Sequence, residues 1–294
     1  MNWSPNRRKG ELLGAGWILL LVVIDSLLLW RVMNGKLNGW TFICALLTLA
    51  SLPAMALIGY WIYGLMRLRY EFDRNRLVIT TASGKQIIPM SNVKRVVDGR
   101  NIQGRLKSLT WPGYWIGHGT IEGIGLALFY GVDPPQAQAI VITPSLAYGL
   151  SVPDMDMFLE VFHAALSLGP NVQIDQQSEK APYVNWAIWQ DRLTQTILAL
   201  GLAINVLLFG ILTFAYPTLP TRLPLHFDAS GAVDRIAPQS DVFALPIIGL
   251  IVWSLNGLIG AVLYRRQRMA SYLAWSGGIV VQVFLFLAMW NIVN

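Results

Sequence analysis

Three groups of residues in this 294-residue sequence are of types and spacings that could do chemistry. The first lies in Pro217–Ser240, where Pro224, His226, Phe227, Asp228, Gly231 and Asp234 fall close together. One imidazole with two carboxylates is a donor set suited to a divalent cation, provided the ligands converge. Asp228 and Asp234 flank a turn-forming Ala-Ser-Gly, which also allows a structured cap. In a cap, Asp228 accepts backbone N–H bonds, Gly231 takes a positive φ, and Asp234 pairs with Arg235 or Arg222. Partner or peptide binding is a third use of the same residues.

The second group is the segment Arg100–Gly119, which mixes Arg100, Arg105 and Lys107 with Trp111, Tyr114 and Trp115. A basic-aromatic loop of this kind lies on anionic headgroups or docks on helices of its own chain. A plainer reading is a long hairpin whose aromatics complete a domain core. No dense Lys/Arg pocket for an inositol phosphate is readable. The third is Asp25, a carboxylate inside an apolar run. Such a group is costly in a bilayer and marks a functional site by default. Asn205, Asn256 and Gln282 offer uncharged partners, whereas no second intramembrane acid or base exists to support a proton relay. Structural pairing is the expectation.

Other chemistry is not visible. There is no Walker-type phosphate loop, no H-E-x-x-H and no G-x-S-x-G. The three His are scattered, and the single Cys44 sits in an apolar run, which excludes an internal disulfide. The expectation is a non-catalytic protein with no cofactor and no resident metal.

These residues must be positioned by elements of two kinds. The composition is 54% hydrophobic and only 13% charged, against roughly 25% charged in soluble domains. Five apolar runs, Leu12–Trp30, Trp40–Met66, Leu193–Tyr216, Val242–Tyr264 and Ala270–Val293, are long enough to span a hydrocarbon core as helices. No small-x-small cleavage site follows the first, so it reads as a retained span and not a signal peptide. Small residues (Gly257, Gly260 and Ala261 in the fourth run, Gly277 and Gly278 in the fifth) read as helix-packing faces.

Arg7, Arg8 and Lys9, then Arg67 and Arg69, then Arg265, Arg266 and Arg268 all fall on one side of five spans. That side carries 18 basic residues and the other only 4, which makes it the cytoplasmic side with the N-terminus inside and the C-terminus outside. The net charge of +6 follows this topology pattern and does not form a nucleic-acid stripe.

Between the second and third runs, short alternating segments replace the long apolar ones. Strands are expected at Arg67–Phe72, Arg76–Thr81, Lys85–Met90, Val93–Val97, Ile124–Val132, Ala139–Thr143 and Tyr148–Val152. An amphipathic helix follows Pro153-Asp154, with Met157, Phe158, Val161, Phe162 and Ala165 at helical spacing. The organisation expected is two spans (1–66), a cytoplasmic domain (67–168), a polar linker (169–192) and three spans (193–294) with an outward loop at 217–240. Trp186 and Trp189 read as an interfacial anchor before the third span.

Two resemblances rest on these residues. YEFDRNRLVITTASGKQII (70–88) with the following IPMSNVKRV, and ITPSLAYGLSVPDMDMFLEVF near the domain's end, resemble a bacterial pleckstrin-homology-like domain over about 68–168. Arg105, Pro112-Gly113-Tyr114 and Gly117 are similar to the glycine-bearing insert of a membrane-tethered subgroup. The fold implied is about seven strands closed by one helix. The second resemblance is the pattern Leu-Pro-x-His-Phe-Asp-x-x-Gly-x-x-Asp at 223–234. It is similar to a bacterial membrane domain of unknown function, also found at the start of sporulation-delay-toxin immunity proteins. This chain departs from those by carrying the inserted domain and fewer spans after the motif.

The fold class expected is therefore an α-helical integral membrane protein with an inserted PH-like β domain. The function expected is a protein-binding adaptor or regulator in a bacterial cytoplasmic membrane. An accessory subunit of a larger complex, and a toxin-immunity or transport-related protein, are the alternatives. Partners expected are the lipid bilayer and a further protein, not nucleic acid.

Overall fold

The computed structural model describes residues 1–227 and 233–293, with side chains at 101, 104, 105, 225–227 and 233–235 outside that description. Five of its helices are long and apolar enough to cross a membrane: α1 (Arg8–Asn34), α2 (Gly39–Arg67), α4 (Arg192–Ala215), α5 (Ala244–Leu263) and α6 (Arg268–Val293). The protein is a multi-pass membrane protein. Along α1, Gly10, Gly14 and Asp25 are buried, and Ile18, Leu21, Leu28 and Val32 half-buried. Steps of three and four make this one protein-facing stripe. The face it leaves exposed is apolar, with Leu12, Leu19 and Leu27 each about two-thirds exposed or more. That inverts the pattern of a soluble helix and suits one solvated by lipid.

The chain divides into two compact units, Met1–Val23 with Ser51–Val184, and Ile24–Ala50 with Asn185–Asn294. In the first, two sheets form a β domain. One holds β1 (Asn2–Trp3), β2 (Arg69–Phe72), β3 (Arg76–Thr81), β4 (Gly84–Pro89) and β11 (Gln177–Lys180), in the order β1-β2-β3-β4-β11 and antiparallel throughout. The other holds β5 (Arg95–Asp98), β6 (Gly104–Leu106), β7 (Trp115–Ile121), β8 (Gly125–Gly131), β9 (Ala139–Ile142) and β10 (Ala147–Leu150), in the order β5-β9-β10-β8-β7-β6. Its one parallel pair is β10 with β8.

Alternation explains most of the first sheet: Tyr70, Phe72, Leu77 and Ile79 point into the core, while Arg69, Glu71, Arg76 and Val78 are exposed or half-buried. In the second sheet all residues of β9 and β10 are buried. These strands have core on both faces, Val141 and Tyr148 on one side and Ile140 and Ala147 on the other. Helix α3 (Met155–Leu168) closes the larger core with Phe158 and Phe162. Asp154 caps it by accepting from the Met157 N–H at 2.9 Å. Of the apolar positions expected on its inner face, Met157 is instead 54% exposed.

Nine strands, not seven, lie between α2 and α3 among the described residues. The two extra are β6, within the segment Arg100–Gly119, and β7, which starts in it and runs on to Ile121. β11 is a further addition, formed by residues read as linker.

In the second unit, α4, α5 and α6 pack by laying rings into glycine notches. A Cβ on Gly201 would meet the Trp253 indole at 2.6 Å, and one on Gly260 would fall on the Trp275 indole. Gly257 and Gly277, expected as packing positions, have nothing within 4 Å, whereas Gly278 makes ordinary contact with Asn256 at 3.6 Å. Asn205 and Gln282 donate across helices to the α5 carbonyls of Pro246 (3.0 Å) and Gly249 (3.3 Å). Asn256 bonds within its own helix, to Val252 O at 2.9 Å.

Candidate functional site

A groove of about 640 Å³ opens on the β domain. Thr81, Ser83 and Gly84 form one end, at the β3–β4 turn, and β11 with Gln176 forms the rim. Leu128 and Tyr130 of β8, with Leu146 and Tyr148, complete it. The walls are rich in amides and hydroxyls already arranged in pairs. Gln86 Nε2 donates to Ser178 Oγ at 2.7 Å, and Gln176 Nε2 to the Tyr148 hydroxyl at 3.0 Å. Burial pushes the Tyr130 hydroxyl up to about 12, so it remains a neutral donor at any ordinary pH. The charged residues lining the groove are Glu179 and Lys180, of opposite sign. Every residue of β11 is exposed, so this strand is held by its ladder to β4 and by the Gln86–Ser178 bond.

The basic-aromatic group divides in the structure. Trp111 and Tyr114 stack at 4.7 Å, and both lie against Trp61 of α2, at 5.0 and 5.7 Å between ring centroids. Burial pushes the Tyr114 hydroxyl well above its usual range. Gly113, at φ +92°, brings its carbonyl onto the backbone of Gly10 in α1, so a Cβ at either glycine would collide with the other segment. Trp115 is half-buried in β7. Arg100 turns away and pairs with Asp98, Nε to Oδ2 at 2.7 Å, which holds the Asp98 carboxyl below its usual range. Lys107 is exposed, and the Arg105 side chain lies outside the described residues. The aromatics therefore dock on the helices of their own unit, and the described basic residues do not gather with them.

Asp25 is 7% exposed on the inner stripe of α1. In the His226 motif, Arg222–Phe227 (β12) and Val233–Pro238 (β13) form a hairpin with a register shift around His226. Its Leu223 and Ala237 are buried, and Leu223 joins a cluster with Leu208, Leu212, Val242 and Met289 at the end of the helices. Pro224 is half-buried and pairs with Ile236. His226, Phe227 and Asp234 occupy strand positions, their side chains outside the description; Asp228 and Gly231 lie outside the described residues. Among the described residues no group of three or more His, Cys, Asp or Glu is placed to hold a metal.

Sequence reasoning missed Asp191. It caps α4, accepting from the Leu193 N–H (3.0 Å) and Thr194 N–H (3.3 Å). Its other oxygen accepts from the Thr194 hydroxyl at 2.9 Å, Tyr264 at 2.8 Å and Tyr272 at 2.6 Å. The Tyr272 hydroxyl foremost, then Tyr264 and Thr194, holds this carboxyl well below the usual carboxylate range. Asp-Arg-Leu-Thr before an apolar run is a readable cap signal. The two tyrosines are 73 and 81 residues away, and no local pattern announces them.

Residues 68–165 match the family described as Bacterial PH domain, and residues 203–250 the Domain of unknown function (DUF1648). The β domain is similar to a bacterial PH domain over those residues. The second match takes in the later part of α4, the β12–β13 hairpin and the start of α5. Neither is an enzymatic family. No curated protein and no solved structure matches the chain. The PH match ends before β11, so the strand that rims the groove is an addition to the PH domain.

Proposed function

We propose that this chain is a non-catalytic membrane protein whose PH domain serves as an adaptor, binding an extended segment of a partner polypeptide in the groove beside β11. The observation that carries this reading is the groove's chemistry. Its amides, hydroxyls and strand-edge backbone match the donors and acceptors of a polypeptide, over an apolar floor of Leu128 and Leu146. A phosphate ligand calls for clustered cations, and Lys180 is the one cation among the residues lining the groove. Trp61, Trp111 and Tyr114 clamp the domain to α2, which suits an adaptor that must present one fixed face.

The test is a photo-crosslinking residue in place of Gln177, in the full-length protein in its native membrane. A discrete protein adduct, lost when Leu128→Asp places a charge on the groove floor, is the expected result. An adduct that ignores Leu128→Asp, or no adduct while the protein is folded, rejects the reading. Fixed stoichiometry of the adduct under all growth conditions would convert the adaptor into an accessory subunit.

A further inference from the structure

A second cavity, of about 470 Å³, opens where the start of α4 meets the end of α5 and the start of α6. Asp191, Arg192, Tyr264, Arg268 and Tyr272 line it, with Gln190 beside them. Arg265 and Arg266 stand in the short α5–α6 connection. The two sequence stretches that build this end, 185–198 and 258–275, contain four arginines and one carboxylate, Asp191.

That carboxylate is already committed. It is saturated by two backbone N–H groups and three hydroxyls, and none of its bonds is to an arginine. None of the four guanidiniums has an ion-pair partner among the described residues. Arg268 lies over the Tyr264 ring at 5.4 Å and Arg265 over the Trp186 ring at 5.7 Å, so two of the four are fixed by aromatic faces. The indole N–H of Trp186 is buried with no acceptor among the described residues. Four cations against one carboxylate, two of them held in place, around a cavity at the end of a membrane helix bundle make an anion site at headgroup depth. Arginine forks match phosphate oxygens two at a time.

We infer that this cavity binds the phosphate of an anionic phospholipid, with Arg192 and Arg268 as its principal ligands. The Asp191–Tyr264–Tyr272 node sets the spacing of the three helices around the cavity and so holds the two arginines apart. The inference is independent of the PH-domain groove.

The experiment uses the full-length protein in detergent, with phosphatidylglycerol or phosphatidylcholine added and bound lipid read by native mass spectrometry. Wild type should retain phosphatidylglycerol in preference, and that retention should fall about fivefold for each arginine removed in Arg192→Gln and Arg268→Gln. Arg222→Gln, in the hairpin at the far end of α4, should leave it unchanged. Phosphatidylglycerol should also raise the thermal midpoint of wild type above its value in phosphatidylcholine, a readout that needs no variant. Equal retention of the two lipids overturns the site, as does a preference that survives the double variant or is lost equally with Arg222→Gln. Inorganic phosphate separates the two sources of the same chemistry. Failure of phosphate to displace the lipid confirms a headgroup site, whereas displacement at low concentration with no lipid-dependent stabilisation replaces the lipid with a free anion and overturns the lipid assignment.

Discussion

A carboxylate that accepts from five donors can take up a proton only by giving some of them up. Asp191 is in that position, and the consequence has a definite sign. Its carboxyl is held down in the folded protein, chiefly by the Tyr272 hydroxyl. Its contribution to stability is therefore complete above the unfolded value of about 4 and is lost as the pH falls through the lower folded value. Asp191→Ala should cost about 1 kcal/mol at neutral pH from the lost cap, with a further loss from the two freed tyrosines. The difference in thermal midpoint between wild type and Asp191→Ala should be constant from pH 8 to about 5 and shrink below about 4. A difference that grew on acidification would show that Asp191 is not ionised in the folded state. Only half of this node is visible in the sequence: the Asp-x-x-Thr cap is local, whereas its tyrosines arrive through tertiary packing.

At the scale of elements, close backbone approach separates glycines that matter from glycines that do not. Gly10 and Gly16 both lie on α1, yet a Cβ at Gly10 would fall on the Gly113 carbonyl while one at Gly16 meets nothing within 4 Å. Gly16→Ala should be neutral or stabilising by up to about 1 kcal/mol. Gly10→Ala should force the Trp111–Tyr114 turn off α2, and limited trypsin digestion should then cut at the exposed Lys107. Protection equal to wild type would mean that the turn is held by its rings alone. The same contrast holds on α5: Gly260→Ala drives a methyl into Trp275 and should cost about 1–3 kcal/mol, while Gly257→Ala should be silent in the thermal midpoint.

Strand legibility follows a related logic. Arg76–Thr81 was readable because the buried Leu77 and Ile79 alternate with Arg76 and Val78, which are less buried. Trp115–Ile121 was not, because Gly117, His118 and Gly119 erase the alternation and β7 takes its structure from its ladder to β8. Gly117 is needed because Ser108 packs against it, its Oγ accepting from the His118 N–H at 3.2 Å. β11 is polar at every position, so only its pairing with β4 makes it a strand. The His226 motif was legible as a family signature but not as a geometry, since its pattern could serve a cap or a ligand set equally.

For the whole molecule the membrane helices were the clearest feature, because lipid removes the compensation that blurs soluble patterns: a spanning run must be apolar for about 20 residues whatever it packs against. Their number also constrains sidedness. If all five cross, α4 is the one crossing between α3 and the β12–β13 hairpin, and the expectation is that the two face opposite sides of the membrane. The basic bias of 18 to 4 predicts that the PH domain is the one inside. The protein's single cysteine makes this measurable. In a Cys44→Ser background, Ser240→Cys should react with a membrane-impermeant maleimide added to intact cells, and Glu160→Cys, exposed on α3, should react only after lysis. The opposite pattern would invert the topology. Labelling of both from outside would break the five-span count itself, because an odd number of crossings is all that separates the two positions.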